Sequence, residues 1–188
     1  MGKLVFYYGV MGCSKTANAL ITRFQYLEKG KKVLLIKPAL DTRDNIDNKS
    51  IIASRIGIQA EAYAVRIDES IASLLSRDTY DIIICDEAQF LTTAQVNELR
   101  NLSKYIDIIC YGLRTDFQSH LFEGSKRLFE LADNIYEIEG VCTCGKKAVI
   151  NARLTADKKI IYHGDQLELG GNDKYVGMCW DCWQRGNI

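Results

Sequence analysis

The chain has 188 residues, of which 47% are hydrophobic and 26% charged, and its 24 lysines and arginines balance 24 aspartates and glutamates. This composition is typical of a soluble globular domain with a small appendage, and the zero net charge gives no electrostatic reason to expect nucleic acid or acidic lipid as a partner. No apolar run reaches the ~18 residues that a membrane helix needs, and the N-terminus shows no small-residue cleavage site. We therefore expect a cytoplasmic protein that binds small molecules and has neither a nucleic-acid nor a membrane partner.

A phosphate-binding loop is predicted where an N-terminal apolar run meets a helical pattern. Residues 4–8 are apolar, residues 17–28 repeat apolar side chains at helical spacing, and between them lie Gly9, Val10, Met11, Gly12, Cys13, Ser14, Lys15 and Thr16. In such a loop backbone N–H groups and the helix N-terminus bind phosphate, the lysine contacts the β- and γ-phosphates, and the threonine hydroxyl contacts Mg²⁺. Ser14 stands where the usual motif has its second glycine, which leaves an ordinary strand–turn–helix corner as the alternative.

Strands and helices alternate through the following part of the chain. Hydrophobic periodicity predicts helices over residues 17–28, 67–75, 92–102 and 125–132, and strands over residues 31–36, 80–85, 106–111 and 135–138. The alternation predicts an α/β fold with a mostly parallel sheet, covered on both faces, whose ligands gather at the carboxyl ends of the strands. The first helix is expected to pack one apolar face behind the phosphate loop, formed by Leu20, Ile21, Phe24 and Leu27.

Two regions depart from this alternation. Residues 41–60 have weak periodicity and many polar groups, so we expect a mobile loop near the phosphates. After residue 139, short alternating segments over residues 149–154 and 159–163 predict a small β-rich domain. We therefore divide the chain into an α/β domain of residues 1–139 and a small β domain of residues 140–188.

An acidic pair follows one of the predicted strands directly. The apolar residues 82–85 lead into Asp86 and Glu87. In phosphate-loop enzymes the first carboxylate of such a pair helps to hold the Mg²⁺ shell, and a neighbouring carboxylate is free to orient or deprotonate a nucleophile. The alternative is a solvated turn after a strand, which any Asp-Glu pair can form.

Four of the seven cysteines occur in closely spaced pairs and predict a metal site. Cys142 and Cys144 form one pair, and Cys179 and Cys182 form the other. Four thiolates are the usual ligand set of a closed, tetrahedral structural zinc site, and Gly145 permits the tight turn that points backbone N–H groups at sulfur. The alternative is two pairs of buried, unligated cysteines.

Several apolar side chains fall at predicted strand ends near the expected phosphate site. Met11, Phe90, Leu113 and Phe117 occupy such positions and could sandwich a flat ring. They could equally close the hydrophobic core. His120 and His163 stand alone in the sequence and receive no role.

Taken together, these motifs resemble the thymidine kinases shared by many bacteria and animal cytosol. The resemblance runs through nearly the whole chain, over residues 9–16, 41–43, 86–90, 111–118 and 169–175, and on to Cys179. The segments 111–118 and 169–175 are far more specific than a phosphate loop. The spacing of Cys142 and Cys144 is also similar to a variant found in some bacterial members.

The resemblance implies a RecA-like α/β domain that binds ATP, and a zinc-anchored loop that closes over thymidine like a lasso. It implies Glu87 as general base for the 5′-hydroxyl, Asp86 with Thr16 at Mg²⁺, and Arg43 facing the transferring phosphoryl group. The resemblance also places Gln89 among the residues that bind ATP and its phosphates. The implied nucleoside pocket comprises Met11, Phe90, Leu113, Phe117, Asn151, Gln166, Glu168, Gly170 and Tyr175, with the thymine edge held largely by backbone at residue 151 and residues 166–170.

The expected activity is therefore ATP:thymidine 5′-phosphotransfer to give dTMP, a salvage step that supplies DNA synthesis. Members of the family are usually homotetramers inhibited by dTTP, which we expect here by resemblance. Two other classes stay open: a helicase-like ATPase, which would need two RecA-like domains, and a nucleotide-binding zinc-ribbon module without catalysis, which the serine at position 14 favours.

Overall fold

A computed structural model describes residues 2–43, 49–76, 78–166 and 174–186. Strands of the N-terminal part, in chain order, are β1 (Leu4–Gly9), β2 (Val33–Pro38), β3 (Ile51–Ala53), β4 (Gln59–Glu61), β5 (Tyr63–Val65), β6 (Ile82–Cys85), β7 (Asp107–Leu113) and β8 (Asn134–Glu137). The α-helices of the chain are α1 (Lys15–Leu27), α2 (Ala72–Leu75), α3 (Thr93–Leu102), α4 (Glu123–Leu131) and α5 (Trp180–Arg185).

A six-stranded, entirely parallel sheet forms the centre of the N-terminal part, in the order β5-β2-β6-β7-β1-β8. The central strands are apolar on both faces because helices and loops cover both sides, as β6 illustrates with four fully buried residues, whereas the edge strand β8 has none. Gly9 pairs with Leu113, and Cys85 pairs with Cys110. The carboxyl ends of β1, β6 and β7 therefore meet at one edge, which confirms the predicted α/β class.

Helix α1 follows the phosphate loop as predicted, but its buried face is different. Of the four residues expected to pack inward, only Leu20 is buried, while Ile21, Phe24 and Leu27 are 43%, 60% and 40% exposed. Ala19 packs with Leu20 against residues of the sheet, and Ala17 is buried beside the cavity. The larger apolar side chains of the predicted face therefore lie on the outer surface.

Two further predictions need correction. The helix expected over residues 67–75 is reduced to α2, and Ile67 is 81% exposed in the turn before it. The expected loop over residues 41–60 contains an antiparallel hairpin of β3 and β4, which is fastened by Ile52 at 2% exposure. Residues 44–48 lie outside the described part of the chain. Short strands with few inward side chains give weak periodicity, which explains why this hairpin was missed.

The C-terminal part is built from short antiparallel strands. They are β9 (Gly140–Val141), β10 (Lys147–Ala148), β11 (Ile150–Leu154), β12 (Ile160–Ile161) and β13 (Tyr175–Met178). β11 is buried along its whole length between β12 and β13, and β9 pairs with β10. Val10 and Cys13 of the phosphate loop pack into the apolar cluster of this part, which joins it to the α/β sheet.

Within the described residues, no helix combines the length and the apolar character that crossing a membrane requires.

Candidate active site

The phosphate loop lies between β1 and α1 and holds a buried lysine. Lys15 is 8% exposed, and its Nζ donates a hydrogen bond to the Val10 carbonyl oxygen at 2.7 Å. Ser14 has φ 66° and ψ 21°, the left-handed conformation that favours glycine, and its side chain makes no capping hydrogen bond to α1. The loop therefore keeps the backbone shape of the glycine motif with a serine at the strained position.

A buried carboxylate lies beside the loop at the end of β6. Asp86 is 3% exposed, and the Thr16 side chain forms a hydrogen bond with it. Burial, together with the neighbouring Glu87 charge, raises the pKa of Asp86 to about 7. A cation bound between these two side chains would offset the cost of the buried charge, and a hydroxyl paired with a carboxylate is a donor set suited to Mg²⁺.

Glu87 is fixed from two sides. It adopts φ 52° and ψ 34°, and its Oε1 accepts a hydrogen bond from Arg43 Nη2 at 2.6 Å. Its Oε2 accepts from Gln89 Nε2, while Gln89 Oε1 accepts from the Leu113 backbone N–H at 2.9 Å. A Cβ on Gly112 would lie 2.9 Å from Gln89 Oε1, so β7 approaches the glutamine closely only because this position has no side chain. Gln89 therefore orients Glu87.

Arg43 is held in turn by residues that sequence analysis gave no site role. Its Nε donates to Asp41 Oδ1 at 2.6 Å, and Lys37 Nζ lies 3.7 Å from Asp41 Oδ2. Burial raises the pKa of Asp41, but Arg43 and Lys37 outweigh it and hold that pKa below its usual value. Lys37 Nζ also donates to the Ile51 carbonyl oxygen at 2.7 Å, linking Arg43 to the hairpin. The sequence signal for this network was a lysine, Lys37, within the otherwise apolar strand β2.

One cavity of about 400 Å³ has two ends. We call the end at the predicted phosphate loop the phosphate side, and the end lined by Phe90, Phe117 and Tyr175 the aromatic side. Lys15, Thr16, Arg43, Asp86, Glu87 and Gln89 line it together with the predicted nucleoside residues Met11, Phe90, Leu113, Phe117, Asn151, Gln166 and Tyr175. Gly12 and Ser14 of the loop also line it. Val10 and Cys13 instead pack against the C-terminal part, and Gly9 approaches the Ile138 carbonyl. Glu168 and Gly170 lie outside the described residues.

Asn151 ties the two sides of the cavity together. It is 3% exposed on β11, its Oδ1 accepts from the Met11 backbone N–H at 2.7 Å, and its Nδ2 donates to the Thr115 carbonyl oxygen at 2.8 Å. The side chain thus links the phosphate loop to the loop after β7.

Two buried charged residues on the aromatic side were not predicted as site residues. They are Asp116 and Arg153, which are 3% and 4% exposed. Nor was Phe122, whose ring meets Phe90 edge-on at 5.6 Å between centroids. The sequence signal for the two charged residues was a charged side chain within or just after a buried strand.

The four paired cysteines converge in the C-terminal part. The Sγ atoms of Cys142, Cys144, Cys179 and Cys182 all lie within 4.8 Å of one another, so together they can bind a metal ion. Burial opposes ionisation of Cys142, but hydrogen bonds from the Cys144 and Cys179 backbone N–H groups lower its pKa to about 6. The Cys182 backbone N–H donates to Cys179 Sγ at 3.4 Å. Such N–H···S contacts stabilise thiolates, the form in which cysteine binds metal.

Comparison with known proteins identifies the family. The family model described as thymidine kinase matches residues 2–183. The chain belongs to the thymidine kinase family. A thymidine kinase of Zymomonas mobilis is 43% identical over 185 residues, covering 95% of this chain and 94% of the relative. One from Enterobacteria phage T4 is 41% identical over 190 residues, covering 97% and 96%.

Membership of the thymidine kinase family confirms the resemblance inferred from the motifs. A thymidine kinase of Vibrio cholerae is also 40% identical, with 95% of each chain covered. Because these matches run through both the α/β part and the cysteine-bearing part, the family is shared by the whole chain. The comparisons favour neither the helicase-like nor the non-catalytic alternative.

Proposed function

We propose that this protein transfers the γ-phosphoryl group of ATP to the 5′-hydroxyl of thymidine, giving dTMP for nucleotide salvage. The observation that carries the proposal is the position of Glu87. Its carboxylate lies in the cavity that joins the phosphate loop to the aromatic side. Hydrogen bonds from Arg43 and Gln89 fix its orientation, and the Leu113 backbone N–H holds Gln89 in turn. A base at that junction can reach a hydroxyl held next to a triphosphate.

On the phosphate side, residues 9–16 bind the β- and γ-phosphates through backbone N–H groups, and Lys15 leaves the Val10 carbonyl to contact phosphate oxygen. Thr16 and Asp86 would hold Mg²⁺, which would neutralise charge on the phosphates. Arg55 of the hairpin adds a further cation, since its Nη1 lies 3.6 Å from the point where a Cβ on Gly12 would stand.

The chemical step needs a proton acceptor and a group that stabilises charge on the transferring phosphoryl. Glu87 accepts the proton of the 5′-hydroxyl as the oxygen bonds to phosphorus and the bond to the ADP leaving group breaks. Arg43, already 2.6 Å from Glu87, turns its guanidinium to the equatorial oxygens of the phosphoryl group. Asp41 and Lys37 keep Arg43 in reach of both positions.

The nucleoside occupies the aromatic side, between the side chains of Met11, Phe90, Leu113, Phe117 and Tyr175, with residues 151 and 166 at the thymine edge. Asn151, Gln166 and Tyr175 belong, with the four cysteines, to a lasso domain of residues 140–188 that is anchored by zinc. Closed sites of four cysteine thiolates are typical of structural zinc. Residues 1–139 form the ATP-binding domain.

The proposal extends to assembly and regulation. The outer face of α1 exposes Ile21, Phe24 and Leu27 side by side, and apolar patches of this kind support association between copies, here a homotetramer. Inhibition by dTTP follows if one molecule joins the nucleoside and phosphate sides of the cavity. The setting is the cytoplasm.

The test is a phosphorylation assay with MgATP over a panel of nucleosides, run beside ATP hydrolysis with and without DNA or RNA. We expect phosphoryl transfer to thymidine and no stimulation by nucleic acid. ATP hydrolysis stimulated by nucleic acid would support the helicase-like class. Nucleotide binding without transfer to any nucleoside would support the non-catalytic module.

A further inference from the structure

Arg153 is a buried cation placed over an aromatic side chain of the cavity. It lies on β11, is 4% exposed, and its Cζ stands 3.8 Å from the centroid of the Phe117 ring. The Tyr175 ring centroid is 5.5 Å from the same atom, and Arg153 Nε donates a hydrogen bond to Tyr175 Oη at 3.1 Å. One guanidinium therefore contacts two aromatic walls that arise from different parts of the fold.

The same guanidinium also holds the chain just before the nucleoside side. Its Nη2 donates to the Asp165 carbonyl oxygen at 2.8 Å and to the Gln166 carbonyl oxygen at 3.3 Å. Gly164 has φ +146°, and a Cβ there would lie 3.4 Å from Arg153 Nη1. The planar guanidinium stacks with its face while it donates from its edge, and a lysine ammonium cannot do both.

A second buried charge holds the same short segment from the other side. Asp116 Oδ1 accepts from the backbone N–H groups of Gln118 and His120 at 2.8 and 2.9 Å. Its Oδ2 accepts from Gln166 Nε2 at 2.9 Å. The side chain of Gln166 is thereby engaged by Asp116, and its backbone carbonyl by Arg153.

We infer that Arg153 is a positioning residue that sets the specificity side of the cavity. It orients Phe117 and Tyr175 and fixes residues 164–166, whereas the Lys15, Asp86 and Glu87 side chains are held by other partners. The inference rests on the proposed function for the identity of the nucleoside. Its expected signature is a change in nucleoside affinity without a matching change in ATP affinity or in the chemical step.

The decisive variant is Arg153→Lys, which keeps the charge but removes the stacking plane and the forked donors. We expect the KM for thymidine to rise at least about tenfold, as loss of a desolvated cation–π contact and charge-assisted hydrogen bonds implies. We expect kcat and the KM for ATP to stay within about threefold of wild type. Arg114→Lys is the matched control, because Arg114 Nη2 donates a hydrogen bond to the Val149 carbonyl oxygen at 3.2 Å, away from residues 164–166. That variant should leave the thymidine KM unchanged.

Equal losses in kcat and in both KM values, or a wild-type thymidine KM in Arg153→Lys, would overturn the inference. If Arg153→Lys does not fold, Tyr175→Phe decides, because it removes only the hydroxyl that accepts from Arg153. A rise of about threefold in thymidine KM at unchanged ATP KM supports the inference, and no rise refutes it.

Failure of the proposed function would be visible separately, in the wild-type protein. If wild type phosphorylates a nucleoside other than thymidine, the same KM comparison applies to that nucleoside. If it phosphorylates none, nucleoside binding measured by calorimetry replaces KM, and unchanged binding in Arg153→Lys overturns the inference.

Discussion

The α/β part and the C-terminal β part of this protein are stabilised in different ways. The first has a large core of fully buried side chains on parallel strands of three to seven residues, including Phe6, Ile36, Ile83 and Ile108. The second has strands of two to five residues and a small core rich in alanine and cysteine. That core is completed by Val10 and Cys13 of the phosphate loop.

The comparison indicates where each half of the cavity obtains its rigidity. The phosphate side is built entirely on the α/β part, whereas the aromatic side also takes Asn151, Gln166 and Tyr175 from the C-terminal part, which contains the four-cysteine cluster. Perturbing the metal cluster should therefore affect nucleoside binding first. Perturbing the contact between the parts should affect both ligands.

The largest expected effect comes from Glu87, at the junction of the two parts. Glu87→Gln keeps the size of the side chain but removes the proton acceptor, and a positioned base contributes about 10²–10⁴-fold in rate. We expect kcat to fall by that factor at nearly unchanged KM values. Glu98→Gln is the control, because Glu98 accepts comparable hydrogen bonds from Ser70 and Ala72. Single-turnover phosphorylation within threefold of wild type would remove Glu87 from this role.

Loss of the metal should affect the C-terminal β part much more than the α/β part. We expect one tightly bound zinc per chain, and Cys179→Ser should lose it, loosen the β part and abolish thymidine binding while ATP still binds. Closed thiolate sites contribute folding free energy directly, on the order of 10 kcal/mol in isolated zinc-binding peptides. Elemental analysis and calorimetry with each ligand test this, with Thr143→Ser as the control. Freshly purified protein without zinc, or full thymidine affinity in Cys179→Ser, would contradict it.

Asn151 tests the connection itself. Asn151→Ala leaves the Met11 N–H and the Thr115 carbonyl without their partner, and each unsatisfied buried group costs about 1–3 kcal/mol. We expect lower unfolding free energy and weaker binding of both ATP and thymidine. Asn151→Asp keeps only the acceptor for Met11, so ATP binding should recover more than thymidine binding. Equal recovery of ATP and thymidine affinity in Asn151→Asp would show that the two hydrogen bonds of Asn151 do not support the two ligands separately.

The smallest expected effect is at Ser14. Because φ is +66°, Ser14→Gly should raise the free energy of unfolding by about 1–2 kcal/mol. It should also tighten ATP binding without changing thymidine binding, because it removes a Cβ where the phosphates come closest to the backbone. Lys158→Gly, at φ +60° in an exposed turn, should change stability but not ATP affinity. ATP titration decides between the two accounts of Ser14. Weaker binding by Ser14→Gly would instead mean that the serine hydroxyl donates to phosphate.

Local signals were sufficient for the motifs that lie within a few residues of one another. The phosphate loop, the Asp86-Glu87 pair and the thymidine kinase family were all predicted from the sequence. The four cysteines were predicted as one site, although their pairs are far apart, because thiols at pair spacing have few other uses in a reducing compartment. The hairpin of β3 and β4 was missed because each strand has three residues, too few to show a period.

The sequence by itself determined the alternating α/β fold, the loop that joins β1 to α1 and the identities of the acidic and thiol groups, because these depend on short-range spacing and on side-chain chemistry. Only the tertiary structure decided which face of α1 is buried, since Ala19 and Leu20 pack against the sheet while Phe24 is 60% exposed. It also decided the hydrogen-bond partners of Lys37, Asn151 and Arg153. Their partners are distant in sequence, and hydrogen bonds form between groups that the fold brings together, whatever their separation along the chain.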